Sequence, residues 1–225
     1  ILVFCSSKES ENVYELLINE LQNNLKLEPY KIGKKSKTFI KKLGSSFDYL
    51  GYQFNGELIS VRESSVQKLE LRLEKLFNDY KNSYRTFDNF LWNLNLRITG
   101  TIYEEKKYGW VFYFSQINDE TLMFKLDNFV KKLSKRYNIY NKLFNKEKNK
   151  KVKRFVRTYH EIKKNLSNTK YIPNSDEVTE DRKKEILEKN QIDFDDSNLI
   201  EIREKFKKLM LGKVKSLNRD RDNLY

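Results

Sequence analysis

Basic side chains recur on one predicted helix at a spacing that suits phosphate binding. Lys68, Arg72 and Lys75 follow one another at steps of four and three residues, which places them on one face of an α-helix. Apolar residues recur on another face, so the helix can pack on a core while it presents a row of cations. Such a row binds the phosphates of a nucleic-acid backbone. The alternative is a solvated face whose charges are balanced by Glu70 and Glu74.

The densest basic run, residues 146–154, leads into a second predicted amphipathic helix. In that helix basic side chains alternate with an apolar stripe, which allows packing and phosphate binding together. A charged run is often only a solvated linker. Several basic helices follow one another here, however, so nucleic-acid contact is favoured. The candidate contacts in this region are Lys150, Lys151, Lys153, Arg154 and Arg157.

The other reactive residue types assemble no metal or nucleophile motif. Cys5 is the only cysteine and belongs to an apolar run, residues 1–5, that predicts a buried strand. His160 is the only histidine and has no partner at metal-ligand spacing, so a surface or rim position is expected. Three aspartates at 193, 195 and 196 are interpreted as turn and N-cap residues. The sequence therefore assigns no metal ligand within the chain.

Composition points to a helical, nucleic-acid-binding protein. The 225 residues suit one domain or one and a half, and Lys plus Arg (45) exceed Asp plus Glu (32), giving a net charge of +13. Such an excess favours a polyanionic partner, with nucleic acid as the first candidate. Gly and Pro are sparse (7 and 2), which favours long helices. No apolar run reaches the roughly 18 residues that span a membrane, and a single cysteine fits a reducing cytoplasm. We therefore expect a cytoplasmic protein with no membrane partner.

The stretch 37–61 predicts a β-hairpin. Asn55-Gly56 stands between two runs rich in aromatic and β-branched residues, which is the strongest short-range hairpin signal. We expect strands at 47–54 and 57–61. Gly51, inside the first strand, predicts a bulge or a close approach of another backbone.

The order of elements around this hairpin resembles the end of the palm of a reverse transcriptase. The resemblance rests on an apolar strand, a helix ended by Pro29, the Lys37-Thr38 pair, and the aromatic-x-aromatic-Leu-Gly-Tyr motif at 47–52. It implies that the hairpin is the primer grip, which holds the 3′ end of the growing strand. The residues of that grip are Tyr49, Leu50, Gly51 and Tyr52. The alternative is an ordinary hairpin of an unrelated α+β protein.

The resemblance also implies how catalysis is divided. It places the two aspartates that bind Mg²⁺ immediately before Ile1, outside this chain, so these residues alone are not expected to polymerise. Lys37 matches the family's lysine near the leaving pyrophosphate, where a cation stabilises or protonates the departing oxygens. The alternative for Lys37 is one solvated lysine among many.

A second block resembles bacterial defence-associated reverse transcriptases of the unknown-group class, and within them those of the type 3 defence system. The block comprises 97–100, 108–110 and 115–119. It implies an RNA-directed DNA polymerase in antiphage defence, with Arg97 as a phosphate or template contact. The implied partners are an RNA template, often a dedicated noncoding RNA, a DNA product and deoxynucleoside triphosphates. A second reverse transcriptase subunit or a homo-oligomer remains open.

The predicted fold class is α+β, with the end of a polymerase palm at 1–62, an all-α thumb at 63–166 and a helical extension at 167–225. Expected helices include one from Thr86 to Arg97, a short buried one at 110–114, and one capped by Asn118 or Asp119. The short segment favours Trp110 as a core residue over a base-stacking one. The mixed-charge end, 219–222, is expected to fray.

Two other functions are left open. One is a non-catalytic RNA-binding scaffold related to polymerases, and the other is a basic helical interaction protein without a nucleic-acid role. The salt dependence of binding separates the second from the nucleic-acid functions.

Overall fold

The computed structural model describes residues 1–32, 38–42, 44–144 and 152–220. The chain divides into two compact units, one formed by Ile1–Phe47 with Asn55–Glu57 and the other by Asp48–Phe54 with Leu58–Tyr225. Three predicted site residues, Lys37, Lys150 and Lys151, lie outside the described residues.

The first unit contains helix α1, Ser10–Asn19, which continues as one π-helical turn, Glu20–Asn24. The helix ends before Pro29, as predicted, but none of its residues is buried. The predicted buried strand at 1–5 is wrong, because Ile1 and Phe4 are 79% and 71% exposed and Cys5 is exposed. A strand needs a partner to satisfy its backbone, and the described sheets contain no strand paired with this run.

The hairpin region forms three strands, β1 (Phe47–Tyr49), β2 (Tyr52–Asn55) and β3 (Leu58–Val61), in the order β1-β2-β3. Their two-residue connections can join only antiparallel strands. The single strand predicted at 47–54 is wrong, because Leu50 and Gly51 adopt φ values of 48° and 84° and turn the chain. Two successive positive φ values are what a type I′ turn requires. The next turn lies one residue later than predicted, since Asn55 belongs to β2 and Gly56 has φ 60°.

The second unit is mainly helical. Its helices are α2 (Glu63–Lys81), α3 (Phe87–Thr99), α4 (Trp110–Tyr113), α5 (Glu120–Arg136), α6 (Tyr140–Phe144), α7 (Phe155–Lys164), α8 (Glu180–Lys189) and α9 (Leu199–Asn218). The coarse α+β class is therefore confirmed. Every helix among the described residues is too short or too polar to cross a lipid bilayer.

The expectation of an all-α segment at 63–166 is wrong, because residues 101–108 form a hairpin. Strands β4 (Thr101–Tyr103) and β5 (Lys106–Tyr108) pair antiparallel. The connecting residues Glu104 and Glu105 have φ 49° and 60°, and their N–H groups donate to the Asp176 carboxylate at 2.7 and 3.0 Å. That distant carboxylate satisfies the turn, which explains why local sequence did not reveal it.

The main core lies where α2, α3, α4, α5 and α7 meet. The predicted cap of α5 is confirmed for Asp119, which accepts from Leu122 N–H. Thr86, expected as the first residue of its helix, is instead the N-cap of α3 and accepts from Asn89 N–H. Ser64 and Ser65 have side chains that suit an N-cap, and the sequence predicts that one of them caps α2; this prediction is wrong, since both lie inside its first turn. Trp110 is 1% exposed and belongs to this core, as favoured.

The C-terminal helices α8 and α9 pack on the β4–β5 hairpin through a second cluster around Tyr103, Phe206 and Met210. The segment 165–175 is tied to β4, because Ile102 pairs with Asn174 and the Thr101 hydroxyl lies 2.7 Å from that of Ser175. The predicted boundaries after 62 and 166 both fall inside the second unit. The assignment of these ranges to palm, thumb and extension stays a prediction.

Candidate nucleic-acid interface

The predicted primer-grip residues form one tight turn and the strand ends that flank it. Leu50 is 42% exposed, whereas Gly51 is buried and its carbonyl accepts from Arg62 N–H at 2.9 Å. Tyr49 and Tyr52 are the strand residues on either side of the turn, and both are half-buried. The turn therefore projects Leu50 outward and fixes Gly51 against the start of α2.

Tyr52 anchors this turn on α4. Its hydroxyl donates to the Tyr113 carbonyl at 2.6 Å, and its ring meets that of Phe114 edge-on, with 5.3 Å between centroids. Burial raises the pKa of the Tyr52 phenol, so the hydroxyl keeps its proton and its donor role. The Tyr113 hydroxyl in turn donates to the Leu50 carbonyl at 3.3 Å. These bonds hold the turn in one place relative to the helical core.

A cleft of about 550 Å³ lies between α2, α3 and α9. Its charged lining is almost entirely cationic, with Asp79 as the one carboxylate among its lining residues in the described chain. The cleft's basic residues are Arg72, Lys75, Arg85, Arg97, Lys208, Lys213 and Arg219. Low-dielectric walls lined by one sign of charge concentrate the field inside a cleft, so this cleft attracts anions.

Two of these arginines are held by a buried carboxylate at the end of α9. Arg97 pairs with Asp220 through Nη1, with 2.6 Å to Oδ2, and its Nη2 donates to the Ser216 hydroxyl at 3.1 Å. Arg72 Nε lies 3.2 Å from Asp220 Oδ1. The Asp220 side chain is 0% exposed. The expectation of a frayed end is therefore wrong at this position, because two arginines compensate the buried charge.

Lys213 is a half-buried cation of the cleft. Its ammonium donates to Asn93 Oδ1 at 2.8 Å and lies 5.4 Å from the centre of the Trp92 ring. Burial lowers the pKa of Lys213 to about 8, and repulsion from Arg85 and Arg97 adds to the effect. This lysine is therefore costly to keep charged unless an anion binds nearby.

A second basic surface lies at the start of α7, where basic residues surround the ring of Tyr171. The Arg157 guanidinium lies 4.3 Å and the Lys153 ammonium 5.0 Å from the centre of the Tyr171 ring. Arg154 pairs with Asp127 at 3.1 Å, and its N–H donates to the Tyr171 hydroxyl at 2.6 Å. Burial lowers the pKa of Lys153 to about 8, with further repulsion from Arg182 and Arg157. Arg154 and Arg157 remain exposed to solvent.

The structure brings together some predicted contacts and separates others. Arg72, Lys75 and Arg97 line the cleft, whereas the half-buried Lys68 does not. Lys153, Arg154 and Arg157 form the second surface instead. His160 is partly exposed, as expected, with Nε2 3.9 Å from Glu120.

Sequence reasoning missed four cations of the cleft: Arg85, Lys208, Lys213 and Arg219. Lys208 and Gly212 lie four residues apart and therefore share one side of α9. The sequence held no signal that this side would face α2 and α3.

The described residues contain no group of three or more His, Cys, Asp or Glu side chains placed to hold a metal ion. No protein-family model, curated protein or solved structure shows a significant match to this chain. The candidate interface is therefore argued from its own geometry and charge.

Proposed function

We propose that this chain is the primer-grip and thumb part of an RNA-directed DNA polymerase of the bacterial defence-associated class, of the kind represented by the first reverse transcriptase of the type 3 system. In this role it binds the RNA template and the growing DNA strand in the cytoplasm. Mg²⁺ and the incoming deoxynucleoside triphosphate are held by residues upstream of Ile1. The assignment to polymerases rests on the resemblance of the hairpin and the block that follows it.

The cationic cleft is the observation that carries the nucleic-acid part of the proposal. Arg72 and Lys75 on α2 and Arg97 on α3 were selected from sequence as phosphate contacts, and all three line it. Phosphate contacts of this kind supply most of the sequence-independent affinity of nucleic-acid-binding proteins. Four further cations line the same space, so the positive charge of the cleft exceeds what the three predicted contacts supply.

The turn at Leu50-Gly51 supports the primer-grip assignment in a different way. A grip must hold a strand end in one position, and this turn is fixed by bonds to Arg62 and Tyr113. Catalytic alignment tolerates little displacement, since a shift of about 1 Å can cost about 100-fold in rate.

The test of the polymerase assignment uses the longer polypeptide that includes the sequence upstream of Ile1. Mass spectrometry of its peptides reads that sequence, and primer extension on an RNA template with Mg²⁺ measures activity. We expect an aromatic-x-Asp-Asp motif and extension that Gly51→Val lowers by 10-fold or more, an order-of-magnitude expectation from misplacing the strand end.

Gly56→Val is the matched control for Gly51→Val. It introduces the same side chain at a positive φ in the neighbouring turn, where the position is open. Extension that Gly51→Val leaves unchanged removes the primer-grip assignment.

Salt dependence distinguishes the remaining functions. Binding of labelled RNA should weaken with salt by about 0.7 to 0.9 log units per log unit of salt for each neutralised phosphate. Steep salt dependence without nucleotide incorporation by the longer polypeptide would assign the chain to the non-catalytic RNA-binding scaffold. A flat profile removes both nucleic-acid functions.

A further inference from the structure

We infer that the C-terminal helix α9 forms the third wall of a phosphate-binding site for single-stranded nucleic acid, in which Lys208 and Arg219 contact the backbone. This inference rests on the proposed function, because it names the ligand and a site for nucleic-acid binding. It assigns a role to the extension, residues 167–225, which the resemblance to polymerases leaves without one.

The first step is that α9 is fixed in place relative to α2 and α3. Asp220, just after the end of α9, pairs with Arg72 of α2 and Arg97 of α3, and its side chain is fully buried while that of Arg97 is 15% exposed. Breaking a buried ion pair leaves an uncompensated charge and costs about 3–5 kcal/mol. The ion pairs of Asp220 therefore hold α9 against α2 and α3 and keep the three walls of the cleft together.

The second step concerns the positive charge that remains in the cleft after Asp220 has paired with two of its arginines. Asp220 offsets one of the two arginines that it binds. Among the described residues no ion pair involves the side chains of Arg85, Lys208 or Arg219. Lys75 meets Asp79 only at 3.4 Å and is 75% exposed. Within the described part of the chain, the cleft therefore holds more cations than its carboxylates neutralise.

The third step is the size and chemistry of the space. A volume of about 550 Å³ falls within the range of roughly 300–1,000 Å³ that suits ligands of nucleotide size. A B-form duplex, whose major groove alone is about 12 Å wide, does not fit inside it. The described lining contains no aromatic side chain on which a base could stack. Recognition therefore falls on the phosphodiester backbone of a single strand, with little preference for sequence.

The experiment compares basic residues of α9 and its C-cap that line the cleft with lysines of α9 that do not line it. Lys208→Gln and Arg219→Gln remove exposed cations that line the cleft. Lys207→Gln and Lys215→Gln remove exposed cations of α9 that do not line it. The full chain is titrated into a fluorescently labelled oligothymidylate, and into an oligouridylate, across a salt series, with anisotropy as the readout. Thermal unfolding confirms that each variant is folded.

We expect each cleft variant to weaken binding several-fold and to reduce the salt slope by about 0.7 for each phosphate contact that is lost. The two control variants should leave the slope unchanged. Equal losses in all four variants would mean that only net charge matters, and would overturn the site.

Competition identifies the ligand. An unlabelled single strand should displace the probe, while a duplex of equal phosphate concentration should displace it poorly. Equal displacement by the duplex overturns the single-strand assignment. Displacement by free deoxynucleoside triphosphate at equal phosphate concentration would indicate a mononucleotide site and also overturns it.

The inference and the proposed function fail in different ways. If the unmodified chain binds no oligonucleotide even at low salt, both are wrong. If the affinity falls steeply with salt, and only the Arg154→Gln and Arg157→Gln variants lower it, nucleic acid binds at the α7 surface. The proposed function then stands, and the role of α9 is wrong.

Discussion

The backbone N–H of Phe155 donates a 2.6 Å hydrogen bond to Oδ1 of Asp127, so a carboxylate on α5 caps the first turn of α7. Helix α7 has no cap of its own, because Arg154 at its N-cap position makes no side-chain cap bond. Arg154 instead pairs with the second oxygen of Asp127 at 3.1 Å. Burial raises the pKa of Asp127, while these bonds act in the opposite direction. One carboxylate thus fixes the helix that carries the second basic surface.

We therefore expect Asp127→Ala to lower the free energy of unfolding by about 1–3 kcal/mol, since it leaves the buried N–H of Phe155 without an acceptor. Chemical denaturation followed by circular dichroism measures the change. Glu74→Ala is the control, because it removes a partner from an exposed ion pair with Arg136 and should cost less than about 1 kcal/mol. Equal losses in the two variants would contradict the capping role.

The turn at Leu50-Gly51 carries backbone strain that a substitution can relieve. Leu50 has φ 48°, a conformation that costs an ordinary side chain about 1–2 kcal/mol and that Asn tolerates better. Leu50→Asn creates the Asn-Gly pair preferred in type I′ turns. We expect a gain of about 0.5–1 kcal/mol in unfolding free energy, measured by thermal or chemical denaturation. A loss of stability would show that the Leu50 side chain contributes more through packing than its conformation costs.

Gly100 and Gly109 bring two backbone segments into direct contact at the base of the β4–β5 hairpin. A Cβ on Gly109 would lie 2.6 Å from Gly100 Cα, and Gly109 has φ 135°. Gly109→Ala should therefore destabilise the fold by about 2–5 kcal/mol through overpacking and backbone strain.

Gly212→Ala is the matched control for Gly109→Ala. Gly212 lies inside α9 with open space around it, so alanine should add about 1 kcal/mol of stability through helix propensity. Destabilisation by Gly212→Ala would contradict the helix as described.

Because of Lys213, the free energy of unfolding should change with pH in the alkaline range. Its pKa is lowered to about 8 by burial and by Arg85 and Arg97. From pH 8 up to the ordinary lysine value the unfolded chain binds more protons than the folded one, so the free energy of unfolding rises with pH. Lys213→Met should be more stable than the parent at about pH 7, and this advantage should shrink as pH rises through about 9.

Denaturation at these two pH values measures the effect, with the exposed Lys215→Met as the control. In both proteins the free energy of unfolding should still rise somewhat with pH, because Lys153 is unchanged and its pKa is also lowered to about 8. Parallel pH profiles for Lys213→Met and the parent would contradict the buried, charged position of Lys213.

Helices could be predicted from the sequence where nearby residues determined both the buried face of the helix and the residue at which it begins. The apolar stripe of α3 starts just after Thr86 and that of α5 just after Asp119, and each of these two residues caps its helix. Strand β4 was not predictable in this way. Its pairing depends on Asp176, some 70 residues away in sequence, and on the contact between Gly100 and Gly109.

The same distinction divides the candidate site. Spacing on α2 selected Arg72 and Lys75, and the motif that begins at residue 97 selected Arg97. The α9 wall could not be found, because the ion pairs that link it to α2 and α3 run through Asp220. Mixed-charge chain ends are usually solvated, and only the two arginines of α2 and α3 make burial of this carboxylate favourable.

The ion pair between Arg97 and Asp220 joins residues that are 123 positions apart. Ribosomes add roughly 5–20 residues per second, so about 6–25 seconds separate the appearance of the arginine from that of its carboxylate. During this interval α2 and α3 can pack, but their two arginines lack the buried counter-charge and the cleft lacks a wall. Assembly of the cleft therefore follows the synthesis of α2 and α3 by several seconds, and it comes after these helices can pack.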